Sequence, residues 1–184
     1  MRTRVLALAL TLLVTGWPGA TSASAQTAAP PRRPDVIYVP TPEPVVDAML
    51  QLADVTSKDV VYDLGCGDGR IPVTAARKYG AHGFCVDIDP ARIKEANANV
   101  AKNNVGALVK VVEGDLFQQD LSGASVVTLY LLPSLNVKLM PKLMKELKPG
   151  TRIVSQTFDM GDWKATKEVD VDGRKVYLWI IPQK

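Results

Sequence analysis

A buried strand that ends near an acidic residue and turns through three glycines into a helix constrains this chain more than any other feature. Residues 60–70 read VVYDLGCGDGR. The apolar start predicts a buried strand, and the glycines permit both a turn with positive φ and the close approach of a ligand to the backbone. The helix that follows presents free N–H groups and a positive dipole end. This combination is typical of an α/β sheet that binds a ligand at the carboxyl ends of its strands.

Strand and helix patterns alternate along most of the remaining chain. Strands are predicted at residues 60–64, 83–88, 108–112, 126–132 and 152–157, and helices at 43–55, 70–79, 90–103 and 134–147. This alternation predicts a mostly parallel sheet covered on both faces. Near the end of the chain, Asp172-Gly173 lies between two extended runs and predicts an antiparallel hairpin. We therefore predict an α/β fold, a Rossmann-like doubly wound seven-stranded mixed sheet with a C-terminal antiparallel hairpin at one edge.

The first 36 residues have a different character. Arg2 and Arg4 precede an apolar run over residues 5–14, and Ala23-Ser24-Ala25 matches an A-x-A cleavage pattern, which is the order of a secretory signal. The run is about ten residues long, too short to span a bilayer. We expect residues 1–25 to be a signal peptide, 26–36 a flexible linker rich in Ala and Pro, and 37–184 the exported domain. An uncleaved segment that anchors the domain at a membrane is the alternative.

The spacing of the glycines separates two classes of cofactor. A dinucleotide fingerprint reads G-x-G-x-x-G, and its third glycine would stand at residue 70, which is Arg70 here. The third glycine instead comes one residue earlier, at Gly69. Asp63 and Asp68 would repel a pyrophosphate, whereas a carboxylate at this turn suits the ammonium group of an amino acid. The spacing and the charges favour S-adenosylmethionine over a nicotinamide dinucleotide.

Two further acidic residues follow the next two strands. Asp87 ends the second strand, where it can accept hydrogen bonds from ribose hydroxyls, and the adjacent Ile88 can pack on adenine. Asp115 follows the third strand and can accept a hydrogen bond from the adenine amino group. The residues predicted to bind the cofactor are Tyr38, Asp63, Gly65, Cys66, Gly67, Asp87, Ile88, Asp115 and Leu116.

With these motifs in place, residues 37–184 resemble class I S-adenosylmethionine-dependent methyltransferases. Four segments look like a family that includes the mitochondrial lysine methyltransferases of the adenine nucleotide translocase and of the ATP synthase c-subunit, with bacterial relatives. They are YVPTP at residues 38–42, DLGCGDGRI at 63–71, LLPSLN at 131–136 and FDMGDW at 158–163. The resemblance implies that the acceptor is a protein lysine amine.

The acceptor is expected to bind after the fourth strand and near the 158–163 loop. Methyl transfer is an in-line displacement, in which the protein mainly positions the reactants and excludes water. Desolvation beside a sulfonium lowers the pKa of an amine, so a dedicated base is not required. An aromatic ring can hold a cationic amine, and a carboxylate can orient it, although the aromatic candidates can equally be packing residues. The predicted catalytic residues are Tyr130, Pro133, Asp159 and Trp163.

Composition weakens some alternatives and leaves others open. Without Arg2 and Arg4 the chain has 20 basic residues against 19 acidic ones, and this balance lacks the basic stripe typical of a nucleic-acid-binding surface. We predict no metal site and expect a monomer. A small-molecule methyltransferase and a non-catalytic nucleoside-binding exported protein remain alternatives. Arg70 and Asp68 disfavour a nicotinamide-dependent reductase.

The two cysteines and the single histidine are expected to be structural. Cys66 and Cys85 would lie near each other on adjacent strands, and an exported protein can form a disulfide. A cysteine inside the cofactor turn can also be a small buried filler, and we expect two free thiols. His82 precedes the second strand and is expected at a surface or structural position.

Overall fold

The computed structural model describes residue 34 and residues 36–183. In these residues the strands are β1 (Val60–Leu64), β2 (His82–Asp87), β3 (Val109–Glu113), β4 (Val126–Leu129), β5 (Arg152–Gln156), β6 (Lys167–Val171) and β7 (Arg174–Ile180). The helices are α1 (Glu43–Leu52), α2 (Arg70–Tyr79), α3 (Pro90–Lys102) and α4 (Pro133–Glu146), with a short 3-10 helix at Leu116–Gln118. The predicted signal peptide and all but two residues of the predicted linker lie outside the described residues.

The seven strands form one mixed sheet in the order β3-β2-β1-β4-β5-β7-β6. The first five strands of this order run parallel, β7 is antiparallel to β5, and β6 is antiparallel to β7. The predicted fold and the hairpin at its edge are therefore confirmed. The strand order reverses between β1 and β4, and crevices at such switch points are where open α/β sheets bind ligands.

The helices cover both faces of the sheet. On one face, apolar residues of α1 and α2 pack on β1, β4, β5 and β7 in a cluster that contains Val46, Met49, Ile71, Val61, Val126, Val154 and Val176. On the other face, α4 packs on β4, β5 and β7 in a cluster that contains Leu139, Leu143, Leu129, Ile153 and Trp179. Because successive strand residues face opposite sides, Asp63 lies on the same face as Val61, beside α2. No helix within the described part of the chain is long and apolar enough to cross a bilayer.

Local sequence signals fix where the site-forming helices begin. α2 starts after Gly69, whose φ of 74° is in the left-handed region, a conformation that glycine adopts without a steric cost. α3 starts at Pro90, and the Asp89 carboxylate accepts a hydrogen bond from Ala91 N at 2.8 Å. Proline at the first turn and aspartate at the N-cap are both favourable helix starts. Both helices thus begin directly beside the ends of the strands that precede them.

The fourth strand is shorter than the sequence pattern predicts. The apolar run over residues 126–132 predicted a strand to Leu132, but β4 ends at Leu129. Pro133 opens α4, and the residue before it, Leu132, has an extended backbone with ψ of 152°, as steric contact with a following proline requires. Tyr130 to Leu132 therefore leave the sheet and become part of a cavity wall.

Candidate functional site

A cavity of about 470 Å³ lies at the carboxyl ends of the central strands, where the strand order reverses. Sites for small molecules range from about 300 to 1,000 Å³, so this cavity can hold a nucleoside-sized ligand. Of the predicted cofactor and acceptor residues, those that line it are Tyr38, Asp63, Gly65, Cys66, Asp87, Ile88, Asp115, Leu116 and Tyr130. Gly67, Pro133, Asp159 and Trp163 are not among its lining residues.

Asp63 is the most deeply buried acid of the cavity, with 3% of its surface exposed. Its carboxylate accepts a hydrogen bond from Thr128 Oγ1 at 2.8 Å. Burial raises the pKa of Asp63 to about 7, the Thr128 hydrogen bond opposes this rise, and the nearby charges of Asp87 and Asp68 add to it. A cationic group bound beside Asp63 would stabilise its charged form.

Asp87 connects the end of β2 to the glycine turn. Asp87 Oδ2 accepts a hydrogen bond from Gly67 N at 2.9 Å, and Oδ1 accepts one from Asp89 N at 3.0 Å. Each carboxylate oxygen can accept a second hydrogen bond. Asp87 can therefore hold the turn in place and still accept hydroxyl protons from a ligand in the cavity.

Tyr38 packs directly on the glycine turn. A Cβ added at Gly67 would lie 2.2 Å from Tyr38 Cε2, so any larger residue would displace the ring. The guanidinium carbon of Arg92 lies 4.6 Å from the centre of the same ring, a cation–π distance. Burial and the neighbouring Asp68 carboxylate raise the pKa of the Tyr38 hydroxyl. Gly67 therefore leaves room for the Tyr38 ring, whereas the sequence pattern had suggested that the glycine leaves room for a ligand.

Arg70 ties the glycine turn to the segment before α1. Its Nε donates to Asp68 Oδ1 at 2.9 Å, and its Nη1 donates to the Thr41 carbonyl at 2.8 Å. Burial opposes ionisation of Asp68, but the hydrogen bonds and the charge of Arg70 outweigh it and lower the Asp68 pKa. Arg70 stands where a dinucleotide fingerprint has its third glycine, and here it holds the glycine turn against the segment before α1.

Cys66 and Cys85 form a disulfide, and the expectation of two free thiols is wrong. The reason lies in how the glycine turn folds. Gly65 N and Cys66 N both donate to the Val86 carbonyl, at 2.9 and 3.0 Å. This brings the Cys66 Cα to 5.3 Å from the Cys85 Cα, within the usual range for a disulfide. The adjacent strands predicted that the two cysteines are near each other, but the pattern does not reveal how closely the turn returns to β2.

The wall formed after β3 combines one acid with apolar side chains. Asp115 Oδ1 accepts a hydrogen bond from Phe117 N at 2.9 Å and so caps the short 3-10 helix. Leu116 and Phe117 line the cavity, as does Ile88 after β2. An acid between apolar side chains suits a heteroaromatic base with an exocyclic amino group, since the faces of such a base are apolar and its edge is a donor.

The wall formed after β4 is aromatic and aliphatic. Tyr130 and Phe158 both line the cavity, and their ring centres are 6.2 Å apart at an interplanar angle of 20°. Leu131, Leu132 and Leu135 complete this wall. A pair of rings with aliphatic neighbours can receive an alkyl amine and keep it out of bulk water.

Three predicted acceptor residues lie elsewhere. Asp159 and Trp163 line a second cavity of about 490 Å³. Asp159 Oδ1 accepts a hydrogen bond from Gly161 N at 3.0 Å, and the Trp163 carbonyl accepts one from Trp179 Nε1 at 2.8 Å. Pro133 is exposed at the start of α4. The roles suggested for these three residues stay predictions, and the structure does not bring their side chains to the first cavity.

Sequence reasoning missed Phe158, Phe117 and Arg92 as cavity residues. Phe158 is the first residue of the FDMGDW segment, which is one of the segments that resemble the family. That segment could have indicated Phe158, but Asp159 and Trp163 were predicted from it instead. Arg92 lies in the first turn of α3, where only the fold shows that its guanidinium points toward Tyr38. The aromatic character of Phe117 did not by itself indicate that this residue lines the cavity.

The cavity residues fit S-adenosylmethionine. The buried Asp63 suits an ammonium group, Asp87 suits ribose hydroxyls, and Asp115 with its apolar neighbours suits adenine. A nicotinamide dinucleotide fits less well, because its pyrophosphate would meet Asp63, Asp68 and Asp87 at the glycine turn.

The Asp63 environment predicts an unusual gain of stability in a variant. The pKa is raised from 3.8 to about 7, so the folded state binds an extra proton between these values and stability falls as the pH rises through them. A rise of this size corresponds to a cost on the order of 4 kcal/mol above pH 7. We expect Asp63→Asn to be more stable than the wild type at pH 8, without ligand, and the difference to shrink toward pH 4.

Urea unfolding at several pH values measures this difference. Asp162→Asn, at an exposed position, is the matched control and should change the free energy of unfolding by less than about 0.5 kcal/mol. An Asp63→Asn variant that is less stable than the wild type at pH 8 would show that the buried carboxylate is not a net cost to the ligand-free fold.

Comparison with known proteins supports the same cofactor. The family model described as the ANTKMT methyltransferase domain matches residues 63–167. A protein-lysine N-methyltransferase of Saccharolobus islandicus is 48% identical over 153 residues, which cover 80% of this chain and 95% of that protein. A Caenorhabditis elegans lysine N-methyltransferase of the ATP synthase c-subunit is 26% identical over 173 residues, which cover 86% of this chain and 90% of that protein.

A solved structure described as an RNA methyltransferase from Salinibacter ruber, in complex with S-adenosyl-L-homocysteine, is also similar. It is 55% identical, with a TM-score of 0.78, and the match covers 79% of this chain and 95% of that one. Family, fold and the acids of the cavity therefore agree on the cofactor. The chain belongs to the ANTKMT methyltransferase domain family and is an S-adenosylmethionine-dependent methyltransferase.

Proposed function

We propose that this methyltransferase acts on a lysine amine of a protein. The observation that carries the proposal is the pair of rings formed by Tyr130 and Phe158 in the aromatic and aliphatic wall of the cavity. An aliphatic chain that ends in an amine matches this wall in shape and polarity. The names of the relatives from Saccharolobus islandicus and Caenorhabditis elegans, both lysine N-methyltransferases, support the same class of acceptor.

In this proposal the cofactor is held by the three acids and the glycine turn. Asp63 pairs with its ammonium group, Asp87 accepts from the ribose hydroxyls, and Asp115 accepts from the adenine amino group. Gly65 and Cys66 present their backbone at the cavity, and Gly67 acts indirectly by admitting Tyr38. Ile88 and Leu116 pack on the faces of the adenine.

S-adenosylmethionine supplies a methyl group that its sulfonium already activates. The acceptor nitrogen uses its lone pair to form the new N–C bond, while the C–S bond breaks and its electron pair stays on sulfur. The product is a methylated ammonium ion that keeps its charge, since the single proton released in the reaction is the one that the amine loses before it attacks. The residues of this chain position the amine between Tyr130 and Phe158 and exclude water, which is the main contribution a protein makes to such a displacement.

The amine must lose its proton before it attacks. The cavity lining in the described residues contains no histidine and no lysine, and its carboxylates lie on the walls assigned to the cofactor. Transfer of the amine into an apolar wall beside a cation lowers its pKa. With the cofactor bound, the rate of transfer should therefore rise with pH as the amine loses its proton, and no protein group is required to act as its base.

The description of the Salinibacter ruber structure names RNA, so RNA is the alternative acceptor class to be tested. The near balance of basic and acidic residues in this chain, and the five aspartates that line the cavity, give little attraction for phosphates. A small-molecule acceptor and binding without catalysis are the remaining alternatives. A transfer assay that offers each class separately distinguishes them.

A pair of Tyr130 variants tests the acceptor site. We expect Tyr130→Phe to keep most of the activity, because the ring face remains, and Tyr130→Ala to lower kcat/KM about tenfold or more, because a cation–π contact of about 1–2 kcal/mol and its apolar wall are lost. The measurement is tritium transfer from labelled S-adenosylmethionine to β-casein, an unfolded lysine-containing protein, with total tRNA as the parallel acceptor. Methyl-lysine is identified after hydrolysis.

The affinity for S-adenosylhomocysteine is the control, and it should stay within about twofold in both variants. Label in tRNA and none in β-casein would contradict the proposed acceptor class. Equal activity of Tyr130→Ala and wild type would remove Tyr130 from the acceptor site. Binding of the cofactor product with no transfer to either acceptor would favour the non-catalytic alternative.

We further propose that the domain is exported. The secretory pattern in residues 1–25 supports this, and so does the Cys66–Cys85 disulfide, because disulfides persist mainly in oxidising compartments. An uncleaved anchor would keep the same domain at a membrane. S-adenosylmethionine is made in the cytoplasm, so export requires a supply of cofactor outside it.

Mass spectrometry of the protein from its own cells tests export and the disulfide together. After alkylation with iodoacetamide without reductant, we expect a chain that begins near residue 26 and carries no added carbamidomethyl group. A chain that retains residues 1–25 would favour the anchor. Two carbamidomethyl groups on Cys66 and Cys85 would contradict the oxidised state.

A further inference from the structure

Asn136 is a fully buried polar residue in the apolar face of α4. None of its surface is exposed, and Leu139 and Leu143 follow it on the same buried side of the helix. An amide in such a place is costly unless it forms hydrogen bonds. Asn136 belongs to the LLPSLN segment that marks the resemblance to the family, and its side chain does not line the cavity.

The amide of Asn136 binds the loop that follows β5. Its Nδ2 lies 3.2 Å from the Phe158 carbonyl, 3.1 Å from the Asp159 carbonyl and 3.3 Å from Ser155 Oγ. Ser155 Oγ itself donates to the Phe158 carbonyl at 2.6 Å. Because a carbonyl oxygen can only accept, the amide atom that faces the two carbonyls must be the nitrogen. Its two hydrogens are shared among three acceptors.

The loop needs such an anchor, because its backbone is held in an uncommon conformation. Thr157 has φ of 67°, in the left-handed region that a β-branched residue rarely adopts. Phe158 N donates to the Gln156 carbonyl, only two residues earlier, at 2.7 Å. A tight turn of this kind persists only when its surroundings select it. The hydrogen bonds from α4 and from Ser155 supply that selection.

The position of this turn decides where the Phe158 ring lies. The Phe158 carbonyl is fixed by Asn136 and Ser155, and the ring of the same residue lines the cavity and stacks on Tyr130. We propose that Asn136 is a positioning residue for methyl transfer, which acts through Phe158 to set the geometry of the acceptor wall. This rests on the proposed function, in which Tyr130 and Phe158 hold the acceptor amine.

Asn136→Leu is the test variant, because leucine has the same branching and number of side-chain heavy atoms but cannot donate a hydrogen bond. Asn97→Leu is the matched control, since Asn97 is exposed on α3 and its amide reaches only the Ile93 carbonyl of its own helix. The first readout is hydrogen exchange of the amides in residues 157–163. We expect exchange there to rise about tenfold or more in Asn136→Leu and to be unchanged in Asn97→Leu.

The second readout separates acceptor positioning from cofactor binding. In Asn136→Leu, the kcat for β-casein should fall about tenfold or more, while the dissociation constant for S-adenosylhomocysteine stays within about twofold. Phe158→Ala, which removes the ring and keeps the anchor, should lower kcat in the same way. The double variant should be no slower than Phe158→Ala alone, because both changes act on one ring.

Three results would overturn the proposal. They are unchanged exchange of residues 157–163 in Asn136→Leu, increased exchange with a normal kcat, and additive losses in the double variant. If the wild type itself does not methylate β-casein, the proposed acceptor class fails, and the exchange comparison still decides whether Asn136 holds the loop.

Discussion

The hydrogen bond from Gly67 N to the Asp87 carboxylate joins the two strand ends on which the cofactor site depends. Together with the bonds from Gly65 N and Cys66 N to the Val86 carbonyl, it holds the glycine turn against the end of β2. The Cys66–Cys85 disulfide adds a covalent link at the same place. Tyr38 packs on the turn and Arg70 ties it to the segment before α1. The turn is therefore preorganised from several sides before a ligand enters, which reduces the ordering cost of binding.

The burial of acidic side chains in this rigid site has an electrostatic cost in the absence of ligand. The charges of Asp68 and Asp87 are close enough to act on Asp63, and burial leaves the Asp63 pKa well above its ordinary value. Within the described part of the chain, Asp68 alone of the three forms an ion pair, with Arg70. An ammonium group in the cavity would offset the cost at Asp63. Structures commonly accept such a cost where a ligand will neutralise it, because stability is traded for function at binding sites.

The wall proposed to bind the acceptor depends on a different part of the fold. β4 ends early because Pro133 starts α4, and this turns Tyr130 into the cavity. The loop after β5 brings Phe158 to meet it, anchored by Asn136 on α4. The cofactor wall and the acceptor wall thus arise from opposite sides of the switch point between β1 and β4. Because of this separation, we expect variants of the proposed acceptor wall to change transfer while the cofactor affinity is retained.

Periodicity and spacing predicted much of this arrangement, and their failures have physical causes. The alternation of strands and helices predicted the sheet, and Asp172-Gly173 predicted its edge hairpin, because both signals are local. The acids Asp63, Asp87 and Asp115 reached one cavity because parallel strands end at a common edge. The disulfide, the contact of Tyr38 with Gly67 and the position of Phe158 depend on how loops return to the sheet. The sequence pattern of a single segment does not show which distant residues its loop will contact in the fold.

The most direct test of this account is a calorimetric titration of the full chain with S-adenosylhomocysteine, beside Asp87→Ala and with NADH as a control ligand. The account predicts micromolar binding to the wild type, no binding of NADH, and a loss of about a hundredfold in Asp87→Ala. Removal of charge-assisted hydrogen bonds worth about 3 kcal/mol has this effect on a dissociation constant. Equal affinity of Asp87→Ala and wild type, or binding of NADH in place of S-adenosylhomocysteine, would contradict the assignment of this cavity.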